Sequence, residues 1–446
     1  MKILLINTPR SPHNSILENA PEEAKHFIHK KLIGPPLGLL TIAASVENNH
    51  DVIFFETKGE YDLIPETPPL KQLVRQLIRK HKPDVVGTTV ITSEFYYGVE
   101  ILETVKEENP EILTAIGGTH ITLNLKDSYN SSIDVAFTGH SAYEFRDMIE
   151  AKERGLPLTS VAGIYLNNGS AFIKTKGVRK TYDYAGKDFL KINRNYLNRW
   201  KETYKVGGAP TPTTYIYTSL GCPYKCTFCS IWKEHDGIYF QRKIESIIEE
   251  LKELDYDIVR FADANTTVNI NFIDKLFDRI EEEGIKKIII MDIRSDTAVK
   301  YPKLIEKMAR NGLKIVICGF ESYRDAELKK YNKNSSASYI SKAIDVFHQN
   351  EIMLRGNYVI PNDYDLDDFK AMSEYANSHK VTYAGYTILT PMPGTDYHDE
   401  VKDQIIDYDL SKYNFFNCVL KTKLPLQDFY KNVGKLWLIK KGKDII

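Results

Sequence analysis

The strongest constraint on this chain is an alternation, repeated in two blocks, between short β-branched runs and stretches with helical spacing. Such a rhythm predicts parallel sheets covered by helices rather than antiparallel sandwiches. In the first block the strands are expected over 2–7, 51–57, 84–90, 112–117 and 134–139, with helices such as 37–48 and 70–81 between them. These five strands predict an α/β domain over 1–150, a doubly wound parallel sheet of Rossmann type. Ligands of such sheets bind beyond the carboxyl ends of the strands, here at 7–10, 88–93, 117–120 and 139–143. Residues 151–213 read as a linker with a hairpin turning at Asn168-Gly169. The second block gives strands over 214–218, 258–262, 287–292, 314–319, 353–360 and 382–389. Between the first two, Ile244, Ile247, Ile248, Leu251 and Leu254 mark one buried helix face. Six strand-helix units are too few for an eightfold barrel, so 214–395 is expected to form a partial (β/α)6 TIM-type barrel with its chemistry at the strands' carboxyl ends. A helical tail, 396–446, is expected to close the open side.

Composition narrows the function classes. The 446 residues are 42% hydrophobic and 27% charged, the balance of a globular protein, and 59 Lys and Arg against 60 Asp and Glu leave a net charge of -1. No general field favours nucleic acid, so none is expected as a partner. The apolar stretch 32–46 holds two prolines and two glycines and falls short of the about 20 residues of a membrane span. The first residues lack a basic region followed by a long apolar one, and a cytoplasmic location is expected.

Five cysteines are few, and three of them, Cys222, Cys226 and Cys229, sit within eight positions just after a strand. Three thiolates on one loop suit a 4Fe-4S cluster with one iron left open. Zinc, with His235 as fourth ligand, is the alternative that spacing leaves. Cys318 and Cys418 read as buried thiols.

The loop Cys222-x3-Cys226-x2-Cys229, with Phe228 before the last cysteine, resembles the signature of the radical S-adenosylmethionine (SAM) superfamily. The resemblance implies that the open iron chelates SAM and that the reduced cluster cleaves it to methionine and a 5'-deoxyadenosyl radical, which abstracts a substrate hydrogen. It implies SAM contacts at Phe228, Asp263, Asn265, Arg294, Glu321 and Ser322, although Ala264 stands where a second acidic residue often sits. Arg294 would pair with the methionyl carboxylate and Glu321 would accept from ribose hydroxyls or the amino group. The turn from Thr390 to Thr395 is similar to a last-strand turn of the same group.

The first block resembles the domain that precedes the barrel in the cobalamin-binding (B12) branch, through Pro35-Pro36-Leu37-Gly38, Gly117-Gly118-Thr119-His120 and Gly139-His140-Ser141. Cobalamin, if bound, would meet Thr8, Pro9, Thr89, Thr92, Ser93, Gly117, Gly118, Thr119, His120, Gly139 and Tyr143. Asp-x-His is missing from 1–150, so the lower-axial histidine motif of other cobalamin enzymes is absent. The resemblance implies a cobalamin-dependent C-methyltransferase acting on an unactivated carbon. The alternatives are a cobalamin-independent radical reaction (C-C coupling, cyclisation, dehydration or epimerisation) with an empty first domain, and a non-catalytic cofactor sensor. A reductase, flavodoxin or ferredoxin would supply electrons. The substrate would be a small molecule, a lipid or a peptide; segment 407–430 loosely resembles the tail of lipid-modifying members.

Overall fold

The computed structural model describes residues 1–28, 34–177, 182–183, 186, 189–205, 211–379, 381 and 383–438. The chain divides into two compact units, Met1–Pro12 with Pro35–Tyr204, and His13–Gly34 with Lys205–Ile446. Segment 13–34, expected within the first domain, therefore groups with the second. Its side chains explain this: Ile16, Ala20 and Ala24 enter the second unit's core, Ser15 bonds Asn417, and Ala20 packs where Gly434 has no Cβ.

The first unit is built on strands β1 (Lys2–Asn7), β2 (Asp51–Glu56), β3 (Val85–Thr89), β4 (Leu113–Gly117) and β5 (Val135–Ala136), parallel in the order 2-1-3-4-5. β1 is buried along nearly its whole length, as a central parallel strand must be when helices cover both faces. Helix Leu70–His81 shows why such segments are helical. Leu70, Leu73, Val74, Leu77 and Ile78 form one buried stripe, and Arg79, Lys80 and His81 oppose the dipole in the last turn. The expected linker hairpin is β6 (Tyr165–Asn167) and β7 (Phe172–Lys174), and it is not free-standing. It extends the sheet antiparallel from β5, giving seven strands. An isolated two-stranded hairpin is marginal in water, and pairing with a short edge strand stabilises both.

In the second unit, β8 (Thr213–Ile216), β11 (Ile258–Phe261), β12 (Ile288–Asp292), β13 (Leu313–Glu321), β14 (Met353–Ile360) and β15 (Tyr383–Ile388) form one parallel six-stranded sheet in the order 8-11-12-13-14-15. A separate antiparallel pair, β9 (Ser219–Leu220) with β10 (Phe240–Gln241), flanks the cysteine loop. Side chains alternate. Val259, Phe261, Met291, Val316 and Leu354 enter the core beneath the helices, whereas Ile258, Ile290, Ile315, Ile317 and Met353 form a separate inner cluster. The inner face is therefore the lumen of a partial barrel with an apolar floor. The backbone of β15 also receives the tail, through Ile388 N–H to the Phe415 carbonyl at 2.8 Å. The tail is helical in patches, as expected. It has helices Asp396–Val401 and Leu426–Leu436 joined by irregular turns, while 439–446, like Thr382, lies outside the described residues. No helix among the described residues is long and apolar enough to cross a membrane.

Candidate functional site

The first strand of the barrel is shorter than expected because its last residues are turned aside. Asp263, just past β11 and 4% exposed, accepts from Thr218 N–H at 2.8 Å, from Ser219 N–H at 3.1 Å and from the Thr218 hydroxyl. Burial pushes its carboxyl up to about 6 while those three bonds oppose the shift, so it is ionised at neutral pH. This carboxylate fixes where the cysteine loop leaves the barrel. Asn265 likewise folds its own turn, its Oδ1 accepting from Thr267 N–H and hydroxyl, while its buried Nδ2 has no hydrogen-bond partner among the described residues.

Gly221 opens the loop at φ 79°, and a Cβ there would lie 2.0 Å from the Ile238 carbonyl oxygen. Gly221→Ala is accordingly expected to cost about 2 kcal/mol or more, read by denaturant unfolding, and to lower iron retention. The loop is then tied on several sides. Thr227 N–H donates to the Tyr331 carbonyl, the Thr227 carbonyl accepts from Tyr397 N–H, and Trp232 Nε1 donates to the Cys226 carbonyl at 3.0 Å. Phe228 meets Tyr331 edge-on at 5.7 Å, a packing role for the aromatic residue of the motif.

Burial raises all three thiols, Cys229 to about 12. Cations offset this. Lys333 pairs with Glu321 at 2.5 Å, and against its own burial Glu321 and the Cys226 thiol hold it above the ordinary lysine value. Arg294 lies over the Tyr224 ring at 4.1 Å, pairs with Asp296 at 2.9 Å and donates to the Lys333 and Asn334 carbonyls. Arg294 thus ties the third strand end to the cysteine loop and to the segment after β13. Glu321 ends β13 at φ 62°, beyond an irregularity in its pairing with β14. Ser322 donates to Glu327 at 2.5 Å, a turn-forming bond. Among the described residues no three His, Cys, Asp or Glu side chains converge as ligands of one metal ion. Three thiolates on one loop are the donor set of a 4Fe-4S cluster with one iron left open. The donor set fits the cluster. Sequence reasoning missed Lys333 and Tyr331, which carry no motif and reach the loop only through the fold.

In the first unit the order 2-1-3-4-5 places the topological switch between β1 and β3, where ligands of such sheets sit. The loop ends there are neutral in outward character and held from beneath. Thr8 donates to Glu94 at 2.7 Å, and Glu94 also pairs with Lys58. Thr8, Pro9, Thr92 and Ser93 are buried, Thr89 is half-buried, and Ile91, next to Thr92 in the chain, is 49% exposed. Gly118, at φ 104°, has its Cβ position 2.5 Å from the Val90 carbonyl, so the glycine is demanded by the turn itself, while Gly117 has ordinary space. Thr119 starts the next short helix, Gly139 N–H donates to Thr122, and Tyr143 stacks on Tyr182 at 4.2 Å. The exposed apolar residue among small, uncharged turns fits a flat corrin.

His120 does not present itself as an axial ligand. The residue is 2% exposed, Nδ1 is 3.3 Å from the Thr92 hydroxyl, the ring centre lies 4.6 Å from that of Phe95, and Nε2 is buried without a hydrogen-bond partner among the described residues. Burial lowers its pKa to about 4. A histidine depressed below its unfolded value of about 6.5 contributes stability that is present above that pH and lost as pH falls toward the folded value, on the order of 3 kcal/mol here. Denaturant unfolding between pH 7 and 4 should show this slope, and His120→Gln should flatten it.

Fold and site together define a partial-barrel α/β protein with an incomplete thiolate set at the barrel mouth and a nucleotide-type sheet ahead of it. Family models agree: residues 216–376 match the radical SAM superfamily and 27–149 the B12 binding domain. The chain thus carries both a radical SAM domain and a B12-binding domain. It is 26% identical to an uncharacterized methyltransferase of Pyrococcus horikoshii, over 87% of this chain and 84% of that one. It is 23% identical to the hopanoid C-3 methylase of Methylococcus capsulatus, over 90% and 75%. Among solved structures, the radical SAM methyltransferase TsrM of Kitasatospora setae, with cobalamin and a 4Fe-4S cluster bound, shares the fold at TM-score 0.66 and 15% identity, over 90% and 75% of the two chains.

Proposed function

We propose that this chain is a cobalamin-dependent radical SAM C-methyltransferase acting on an unactivated carbon. The observation that carries the proposal is the presence, on one chain, of the pinned three-cysteine loop at a barrel mouth and of the 2-1-3-4-5 sheet with small residues in the turns at its strand ends. When bound, the two metal cofactors supply an electron for reductive cleavage of SAM and a carrier for the methyl group.

Cys222, Cys226 and Cys229 would hold three irons. Lys333 and Arg294 place positive charge beside the thiolates, which lowers the cost of keeping them ionised in a buried loop. Phe228 against Tyr331 seals one side of the loop from water. Arg294 and Glu321 would orient SAM from the ends of the third and fourth barrel strands, with Ser322, Asn265 and Asp263 shaping the turns beneath. The loops at Thr8–Pro9, Thr89–Ser93, Gly117–His120 and Gly139–Tyr143 would hold cobalamin without an axial histidine. Electrons would come from a reductase, flavodoxin or ferredoxin. The substrate would be a small molecule, lipid or peptide.

The test is anaerobic purification with cobalamin supplied, followed by iron, sulfide and cobalt analysis and by methyl transfer from SAM carrying a labelled methyl group. About four irons and one cobalt per chain support the reading. Iron without cobalt, with SAM still cleaved to 5'-deoxyadenosine, overturns it in favour of a cobalamin-independent radical enzyme.

A further inference from the structure

The barrel lumen carries a charge imbalance that the cofactor chemistry does not use. Strand alternation puts Arg260, Asp292 and Arg355 on the inner face, because their sequence neighbours Val259, Phe261, Met291 and Leu354 belong to the outer core. Register sets Asp292 and Arg355 at one level and Arg260 one strand repeat deeper, beside Ile290. Arg260 lies opposite Tyr215, and both Asp292 and Arg355 lie opposite Ile317, from its two sides. Two strand spacings put Asp292 and Arg355 roughly 9.5 Å apart at the backbone.

Asp292 is already committed. Arg260 holds its Oδ2 through Nη2 at 2.8 Å and Nε at 3.2 Å, and braces itself on the Tyr215 ring at 5.3 Å. Arg355 by contrast makes no hydrogen bond or ion pair among the described residues. Asn357, two residues nearer the mouth on the same face, makes no hydrogen bond among them either. Ile317 lies beside Arg355, and beneath it lie Ile258, Ile290, Ile315 and Met353. A guanidinium does not shed its proton to escape such surroundings, and burial followed by the neighbouring Arg260 pushes Arg355 below the ordinary guanidinium range. Asp292 is the carboxylate whose charge acts on Arg355, and its hydrogen bonds among the described residues go to Arg260.

We infer that the lumen recognises a substrate carboxylate, which docks on the Arg355 guanidinium with the Asn357 amide beside it, so the substrate class is a carboxylic acid that enters carboxylate first. The flat fork of Arg355 matches a carboxylate through two parallel N–H donors. Asn357 adds an amide donor one strand repeat nearer the mouth. Arg355 sits three residues below Tyr358, the partner of Glu321, which is about 10 Å deeper than the level proposed for SAM. The carboxylate end therefore anchors below, and the reacting carbon faces the cysteine loop. The inference deepens the proposed function and depends on it only for the lumen being the reaction chamber.

The test uses the cluster- and cobalamin-loaded protein with benzoate, benzamide and phenyl phosphate as probes, followed by calorimetry and by thermal shift. Benzoate is expected to bind about 10- to 100-fold more tightly than benzamide, with Arg355→Met losing that preference and Arg355→Lys recovering part of it. Asn357→Ala is expected to weaken benzoate by a smaller factor. Equal binding of benzoate and benzamide, or undiminished benzoate binding by Arg355→Met at an unchanged melting temperature, overturns the inference. Phenyl phosphate preferred over benzoate replaces the carboxylate by a phosphate and overturns the stated class. Competition by SAM, with SAM affinity falling in Arg355→Met, assigns the cation to SAM's own carboxylate and also overturns it. None of these readings needs methyl transfer. Anion recognition without methylation would sink the proposed function alone, and methylation without anion recognition would sink this inference alone.

Discussion

Cys226→Ser should leave a folded protein that no longer keeps its cluster and forms 5'-deoxyadenosine from SAM at a rate lowered by more than the roughly 10- to 100-fold seen when only an outer-shell partner of a metal site is lost. The substitution is nearly isosteric, and the loop's backbone ties, Thr227 N–H to Tyr331 and Trp232 Nε1 to the Cys226 carbonyl, do not involve the sulfur. Near-ultraviolet dichroism should therefore stay close to that of the parent while iron and the cluster absorbance fall. The control is Cys418→Ala. Cys418 is buried in the tail, its N–H donates to the Tyr430 hydroxyl, and it lies outside the loop, so iron content should be unchanged. Equal iron in Cys226→Ser and the parent would refute the ligand assignment.

The second large effect is expected at Asp263. Removing its carboxylate strands two buried N–H groups and a hydroxyl, each costing about 1–3 kcal/mol when left without a partner, so Asp263→Ala should lose about 3 kcal/mol or more of stability at pH 7.5. Iron should fall with it, because these donors belong to the residues that aim the cysteine loop. Asp263→Asn keeps an acceptor oxygen and should recover part of both. The sequence resemblance placed Asp263 among SAM contacts; the structure gives all its bonds to Thr218 and Ser219. The two roles separate cleanly: unchanged stability and iron with weakened SAM binding would make Asp263 a SAM contact, and loss of both makes it a positioning residue.

The legible part of this protein is the part written in local pattern. The strand-helix rhythm, the partial barrel, the three thiols and the glycine turns each follow from spacing within a few residues. What failed to show were the ties that depend on where the chain returns. Thr218 read as strand, yet Asp263, forty-five residues on, takes its N–H and hydroxyl. Segment 13–34 read as part of the first domain because nothing local distinguishes it, but Ile16 and Ala24 are buried in the second unit's core.

The same division applies to function. The sequence by itself determined the cofactor chemistry, because three cysteines at spacings of four and three on one loop are a local arrangement that any fold of that loop retains. Only the tertiary structure decided which charges surround it. Lys333 pairs with Glu321 across twelve residues, Arg260 finds Asp292 across thirty-two, and Arg355 makes no hydrogen bond or ion pair among the described residues. Pairing of charges is a matter of strand register and side-chain face. Those are fixed by long-range packing, in which a shift of one residue would have turned Arg355 from the lumen to the outer core.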